Sequence, residues 1–365
     1  MNASEQTARA GAARRARPQR RILSTIVILC VVALVATAAY VVWARAHATQ
    51  VYGGSITADD LLTQVTMDPS GGVWAIGMRM NAPVAHATKP VSALILHRQD
   101  GRWIISKSLD ASFGVSIAAI AMPSPDEGWA VGSVGGVNGL ILHFQHGSWS
   151  ELSLHPRGVL DAIAMVSPTE GWAVGGVPGA NGTATILQYT HGAWTEIPSP
   201  GPGDLTAIAM SSPTAGWAAS VATDGSHMSF LRYANGVWTP DSFATNGYIN
   251  AMAAPAPDQA WAVGQTIYHY SFGAWKAVGG PTGAGISGIV MDTPTDGWAV
   301  GDPFGTHTSV LWHYSNGAWT SVDSPTRQPL MSVAMISPRD GWAVGEGGVI
   351  LHYGGSAWSI VNGAA

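Results

Sequence analysis

Tryptophan recurs along this chain in pairs whose separations are held almost to the residue. The first member of each pair sits in a GWAVG-like pentad, at Trp74, Trp129, Trp172, Trp217, Trp261, Trp298 and Trp342. The second closes a short G-x-W turn or a near relative of it, at Trp103, Trp149, Trp194, Trp238, Trp275, Trp319 and Trp358. Fourteen of the 16 tryptophans are thereby placed in seven copies of one unit. A repeat of roughly 44 residues matches one four-stranded propeller blade, so an all-β, seven-bladed β-propeller of four-stranded antiparallel blades is expected.

The intervals separate framework from freedom. From each second Trp to the next first Trp the chain spends 26, 23, 23, 23, 23 and 23 residues. Five residues separate each second Trp from an earlier position held by Arg98, Phe144, Tyr189, Tyr233, Tyr270, Tyr314 and Tyr353. Between the first Trp and that position the count is 24, 15, 17, 16, 9, 16 and 11, so length varies at one place in the unit.

The third copy shows the strand pattern. Leu160 to Met165 and Trp172 to Gly175 flank a Pro-initiated, Gly-ended turn, which predicts a hairpin of strands a and b. The variable loop follows, then Thr185 to Tyr189 as strand c, a His191-Gly192 turn, and Trp194 to Ile197 as strand d. Because strand direction alternates, the a–b and c–d turns share one face and the b–c loops and blade connections share the other. The chain begins its first copy with strand a and ends its last with strand d, so closure by lateral packing needs no strand exchange, although residues 51–56 are also available to the last blade.

Recurring large side chains on short strands are expected to be packing. All fourteen paired indoles are assigned to burial between neighbouring blades, each contributing about 2 to 3 kcal/mol over exposure. Met67, Met122, Met165, Met210, Met291 and Met335 recur at the end of strand a as core filling. His97, His143, His269, His313 and His352 share one repeat position with Gln188 and Arg232, so they are spread around the ring and read as half-buried polar residues. Glu127, Glu170, Asp296 and Asp340, before the Gly-Trp step, read as turn formers. No metal site is expected from either set, and no cofactor.

The first 45 residues differ in composition. Arg9, Arg14, Arg15, Arg17, Arg20 and Arg21 precede an uncharged run from Ile22 to Trp43, 22 residues, long enough for a membrane-crossing helix. The expected organisation is a basic cytoplasmic arm over 1–21, a transmembrane signal-anchor helix over 22–43, a linker over 44–57 and the propeller over 58–361. Its blades fall at about 58–107, 112–153, 157–198, 202–242, 246–279, 283–323 and 327–361. By the positive-inside rule the N-terminus is cytoplasmic and the propeller extracytoplasmic in a single-pass membrane protein. A cleaved signal ending at Ala46-His47-Ala48 is the alternative.

Beyond Arg45 ten Lys and Arg stand against 21 Asp and Glu, a balance near −11, which is unsuited to nucleic acid. The lone Cys30 leaves no disulfide within the chain, and stability must come from packing. Gly-x-Ser-x-Gly, His-Glu-x-x-His and phosphate-loop signatures are absent from the sequence, and a non-enzymatic role is expected.

The segments Ser124-Pro125-Asp126-Glu127-Gly128-Trp129-Ala130-Val131-Gly132 and Ser337-Pro338-Arg339-Asp340-Gly341-Trp342-Ala343-Val344-Gly345 resemble the repeats of photosystem II assembly and stability factor-like propellers. Those repeats are related to the BNR or Asp-box repeats of sialidases, here degenerate: His146-Gly147-Ser148 and Asn316-Gly317-Ala318 occupy turns where Asp-Gly-Gly is usual. The resemblance covers residues 58 to 361 and implies an assembly or binding scaffold outside a membrane.

Candidate binding residues are therefore sought on the variable b–c loops, because loops on a rigid scaffold carry function. The longest, roughly Gly77 to Ser92, offers Arg79, His86 and Lys89; the others offer Asn138, Asn181, Asp224, His227, Asp302, His307 and Glu346. The expected partner is an envelope or surface protein. A carbohydrate-binding or sialidase-like propeller is the alternative, for which several arginines must converge at the ring centre, and a purely architectural repeat protein is a third possibility.

Overall fold

The computed structural model describes residues 55–363, apart from 81–89, 112–113, 178–181, 223–224, 246, 279–283 and 304–308. The apolar run 22–43 lies outside them, and among the described residues no helix is long and apolar enough to cross a membrane.

The strands assemble into seven four-stranded antiparallel sheets, each made of four consecutive strands. Among the described residues no blade borrows a strand from another. In blade 3 the a, b, c and d strands are Val159–Ser167, Glu170–Gly176, Ala184–Thr190 and Ala193–Ile197, which extend the sequence-based runs by a residue or two at their ends. The a strands of the seven blades, Asp60–Met67, Ser116–Ser124, Val159–Ser167, Asp204–Ser212, Ile249–Ala256, Ala284–Thr293 and Leu330–Ser337, each pack against the next, and the last packs against the first.

Turn chemistry sets the hairpins. In the first six blades the c–d connection is a two-residue turn, with Asp100, His146, His191, Asn235, Phe272 and Asn316 at positive φ before a glycine. That is the geometry whose twist suits two right-twisted strands. At the a–b turns a hydroxyl at the end of strand a accepts the backbone N–H two residues on, as Ser167 does from Thr169 and Ser212 from Thr214.

The core lies between blades. Trp74, Ile76 and Ile95 of blade 1 cluster with Ile117, Leu140 and Trp149 of blade 2. Leu62, Val65 and Leu94 of blade 1 cluster with Trp342, Val344 and Ile350 of blade 7, which seals the ring by packing. The two tryptophans of one copy therefore do not form the contact pair. At six seams the first Trp of one blade meets the second Trp of the next edge to face, as do Trp129 with Trp194 at 5.4 Å and 85°, and Trp261 with Trp319 at 5.6 Å and 86°.

In the five blades that carry it, the recurrent histidine of strand c stands opposite the first Trp; in four it stacks on the indole within 16° of parallel, and at Trp342 it is tilted by 34°. Trp74 and His97 lie 3.8 Å apart at 6°, and Trp129 and His143 lie 4.0 Å apart at 8°. Arg232, which takes that position in blade 4, lies over Trp217 instead. Three of the acids that read as turn formers hold the outer nitrogen of these rings: Glu127 with His143 at 2.6 Å, Asp296 with His313 at 3.2 Å and Asp340 with His352 at 3.0 Å. The histidines are a lid on the indoles, and in blades 2, 6 and 7 the lid is latched to the turn.

The Gly-Trp step has a packing cause. At Gly128, Gly171, Gly216, Gly297 and Gly341 a Cβ would overlap the sulfur of Met122, Met165, Met210, Met291 and Met335 respectively. Blade 5 has Ala260 before its Trp, and it has Ala254 where the other blades have Met. Each partner makes room for the other.

Candidate functional site: a ring of bulge residues in the central bore

One β-bulge recurs near the start of every a strand. The a–b register slips by one residue at the same place in each blade, between Leu62 and Gln64, Ile117 and Ala119, Leu205 and Ala207, Ile249 and Ala251, Ile286 and Gly288, and Leu330 and Ser332, and opposite Val174/Gly175 in blade 3. The extra residues are Thr63, Ala118, Asp161, Thr206, Asn250, Ser287 and Met331. A bulge re-aims a side chain that regular alternation would place elsewhere. All seven line a central bore of about 220 Å³. In six blades the last residue of the pentad is glycine, and a Cβ at Gly175 would strike the Val159 carbonyl and one at Gly264 that of Tyr248; blade 4 places Ser220 there and keeps the bulge, so the glycine fits the bulge without being required for it.

Strand a begins at the face that carries the b–c loops, so the bulge ring lies toward that face. Several inner polar groups tie blades whose a strands share no ladder. Gln64 Oε1 accepts the Ile120 N–H at 2.7 Å, Asn250 Nδ2 donates to the Ile286 carbonyl at 2.8 Å, and the Val65 N–H donates to Ser332 Oγ at 3.3 Å.

Asp161 is the one ionisable member of the bulge ring. It opens with Asp204, Thr206, Tyr248 and Asn250 onto a second cavity of about 410 Å³ at the loop-side mouth of the bore, against Val221, Met228 and Ile249. Burial pushes the Asp161 carboxyl up to about 7, and the neighbouring Asp204 adds to the shift. Burial also raises Asp204, against a lowering hydrogen bond from the Leu205 backbone. Asp204 Oδ1 is fully buried without a hydrogen-bond partner among the described residues, and Gly176 leaves the space for it: a Cβ there would lie 2.6 Å from that oxygen.

The residues sought on the loops are distributed differently. The ladder between strands b and c of blade 1 continues to Arg79↔Ser92 and Met80↔Pro90, so that loop is confined to 81–89 rather than Gly77 to Ser92. Arg79 forms a two-pronged pair with the fully buried Asp60, Nε to Oδ1 at 2.7 Å and a terminal nitrogen to Oδ2 at 2.9 Å, and also donates to the Ser55 carbonyl. This bonding raises the Arg79 pKa and occupies its fork. Asn138 opens strand c of blade 2 and bridges to Arg157; His227 is exposed and bonded to Ser226 Oγ at 2.8 Å; Asp302 lies in strand b of blade 6 opposite Gly285. Glu346 starts a short 3₁₀ turn, its N–H on the Pro329 carbonyl. These described candidates stand one to a blade and do not converge. His86, Lys89, Asn181, Asp224 and His307 lie outside the described residues.

Sequence reasoning passed over the bulge ring. A signal existed: the position four residues before each recurrent methionine, or before Ala254 in blade 5, varies between polar and apolar types among otherwise uniform neighbours. Only the bulge register shows that it faces the bore.

No family model and no curated protein sequence matches the chain. Solved structures match the fold. YCF48 bound to a D1 peptide is similar at a TM-score of 0.58 and 18% identity, over 83% of this chain and 94% of that one. A catalytically inactive virginiamycin B lyase from Staphylococcus aureus, with quinupristin, matches at 0.61 and 16% identity, over 82% and 97%. The WD40 β-propeller domain of Doa1 matches at 0.59 and 12% identity, over 85% and 97%. The resemblance to photosystem II assembly factor-like propellers, seen in the repeats, thus extends to the three-dimensional fold.

Proposed function

We propose that the chain is a non-catalytic binding scaffold that engages a protein partner through its b–c loop face, held at a membrane by residues 22–43 with the propeller on the extracytoplasmic side. The observation that carries this reading is the coincidence, on one face, of the unit's single length-variable element with the bulge ring and its open cavity. Rigid blades stapled by inter-blade indoles hold that face in place, which lowers the ordering cost of binding. A propeller of the same fold is described bound to a peptide, in support of a peptide or protein ligand. Among the described residues the bore lining contains no arginine, so the converging arginines that a sialidase-type site requires are not built there.

The test is photo-crosslinking in the native membrane, with a crosslinker placed at Asn138 or His227 on the b–c face or at Phe272 on the opposite face. Capture of one protein from the first two positions and not from Phe272 is expected. Equal capture from both faces, or from neither, overturns the reading.

A further inference from the structure

We propose that the cavity at the loop-side mouth of the bore, between blades 3 and 5, receives a basic side chain, a guanidinium or ammonium group, from the partner segment bound on that face. The inference rests on the scaffold reading and names the chemistry of its ligand.

The volume, about 410 Å³, falls within the usual range of ligand sites, roughly 300 to 1,000 Å³. Two acidic residues, Asp161 and Asp204, line it, and no Lys, Arg or His lies on its lining among the described residues. Val221, Met228 and Ile249 supply an apolar wall against which the methylene stem of a long basic side chain lies while its head reaches the acids. Burial disfavours the charged form of both carboxyls, and a cation placed beside them offsets that cost. Asp161 stands on a bulge whose counterparts in the other blades are all uncharged, so its placement in the bore is not a requirement of the repeat. Anionic ligands meet repulsion here, and neutral ones leave the carboxylates unpaired.

Solvation also decides the direction of the pH effect. The titratable groups on the lining are Asp161, Asp204 and Tyr248, and Asp161 changes charge near neutrality. A cation is therefore held more tightly as pH rises from about 6 to about 8.

The probe is N-acetyl-arginine methylamide added to the purified full chain, with the isosteric, uncharged citrulline compound and the lysine compound as controls, followed by calorimetry. Saturable binding of the arginine or lysine probe, absence of binding by citrulline, and weakening by at least about tenfold in the D161N/D204N variant are expected. Thermal melting of that variant checks that it is folded; Asp161→Asn alone provides a second, milder variant. Equal binding of citrulline, unchanged binding in a folded D161N/D204N chain, absence of saturable binding, or stabilisation by calcium ions without any response to the basic probes overturns the proposal. If crosslinking to a partner persists while the basic probes fail, this inference falls and the scaffold reading stands. If the probes bind and no partner is captured from the loop face, the reverse holds.

Discussion

Trp342, in the last blade, meets Trp103, in the first, edge to face with ring centroids 5.9 Å apart and planes at 80°. The same contact joins Trp74 to Trp149, Trp217 to Trp275 and Trp298 to Trp358. The seam that closes the ring is therefore built like the seams inside it, with Arg98 over the Trp342 ring at 4.8 Å where the inner seams place a Phe or Tyr ring. Since no strand crosses this seam among the described residues, side-chain packing resists its opening.

Trp342→Ala is expected to destabilise the propeller by about 3 to 5 kcal/mol, the range for removal of a fully packed large aromatic. Denaturant unfolding measures it, and protease sensitivity near residue 60 locates the opened seam. A loss below about 1 kcal/mol would show that the closing contact contributes little.

Gly128→Ala pushes a methyl into the Met122 sulfur and is expected to cost about 1 to 3 kcal/mol as an overpacked site. Combining it with Met122→Ala recreates the combination of Ala254 and Ala260 found in blade 5. The double variant should be destabilised by less than the sum of the singles, by at least about 0.5 kcal/mol. Strict additivity in thermal unfolding refutes the coupling.

Phe272 is fully exposed and holds φ +52 at the first position of its c–d turn, where the other two-residue turns place Asp, His or Asn. A bulky side chain in the left-handed region is strained, while Asn adopts it readily. Phe272→Asn should therefore stabilise the chain by about 0.5 to 1 kcal/mol in chemical denaturation. Any loss of stability contradicts this.

Asp161 is protonated more readily folded than unfolded, with its value raised to about 7. The folded state therefore binds more protons between the ordinary aspartate range, about 4, and about 7, so stability falls as pH rises through that window and levels off above it. Asp292, raised by burial to about 6, adds to the same slope over the lower part of the window. Asp161→Asn should flatten the slope and raise stability at pH values above about 7, as read from melting temperature against pH. An unchanged slope in the variant would mean that Asp161 titrates normally.

Much of the fold is legible because its determinants are local. The Xaa-Pro turn before each first Trp, the Xaa-Gly turn before each second Trp, and the alternation within each run specify hairpins through neighbours a few residues apart. The assignment of Met122 and its counterparts to the core follows from their recurrence alone. The histidines read as polar half-buried residues, and the structure adds what they cover. Arg79 illustrates the opposite case: its basic character on an acidic body marks it for a partner, and its bond to buried Asp60 becomes visible only when strands a and b are placed in register.

Read alone, the chain determined seven blades, their strand order and the identity of their framework residues, since a repeat reports itself by spacing and turn chemistry. Three matters were decided by the tertiary structure. Tryptophans pair between blades rather than within a copy, Asp161 faces the bore instead of the sheet, and the acids at the turns latch histidines. The physical reason is placement that spacing does not report: the acids meet their histidines only when strands b and c of one blade are set in register. A one-residue bulge reverses which way a side chain points, and contacts between blades join residues whose separation along the chain carries no local signature.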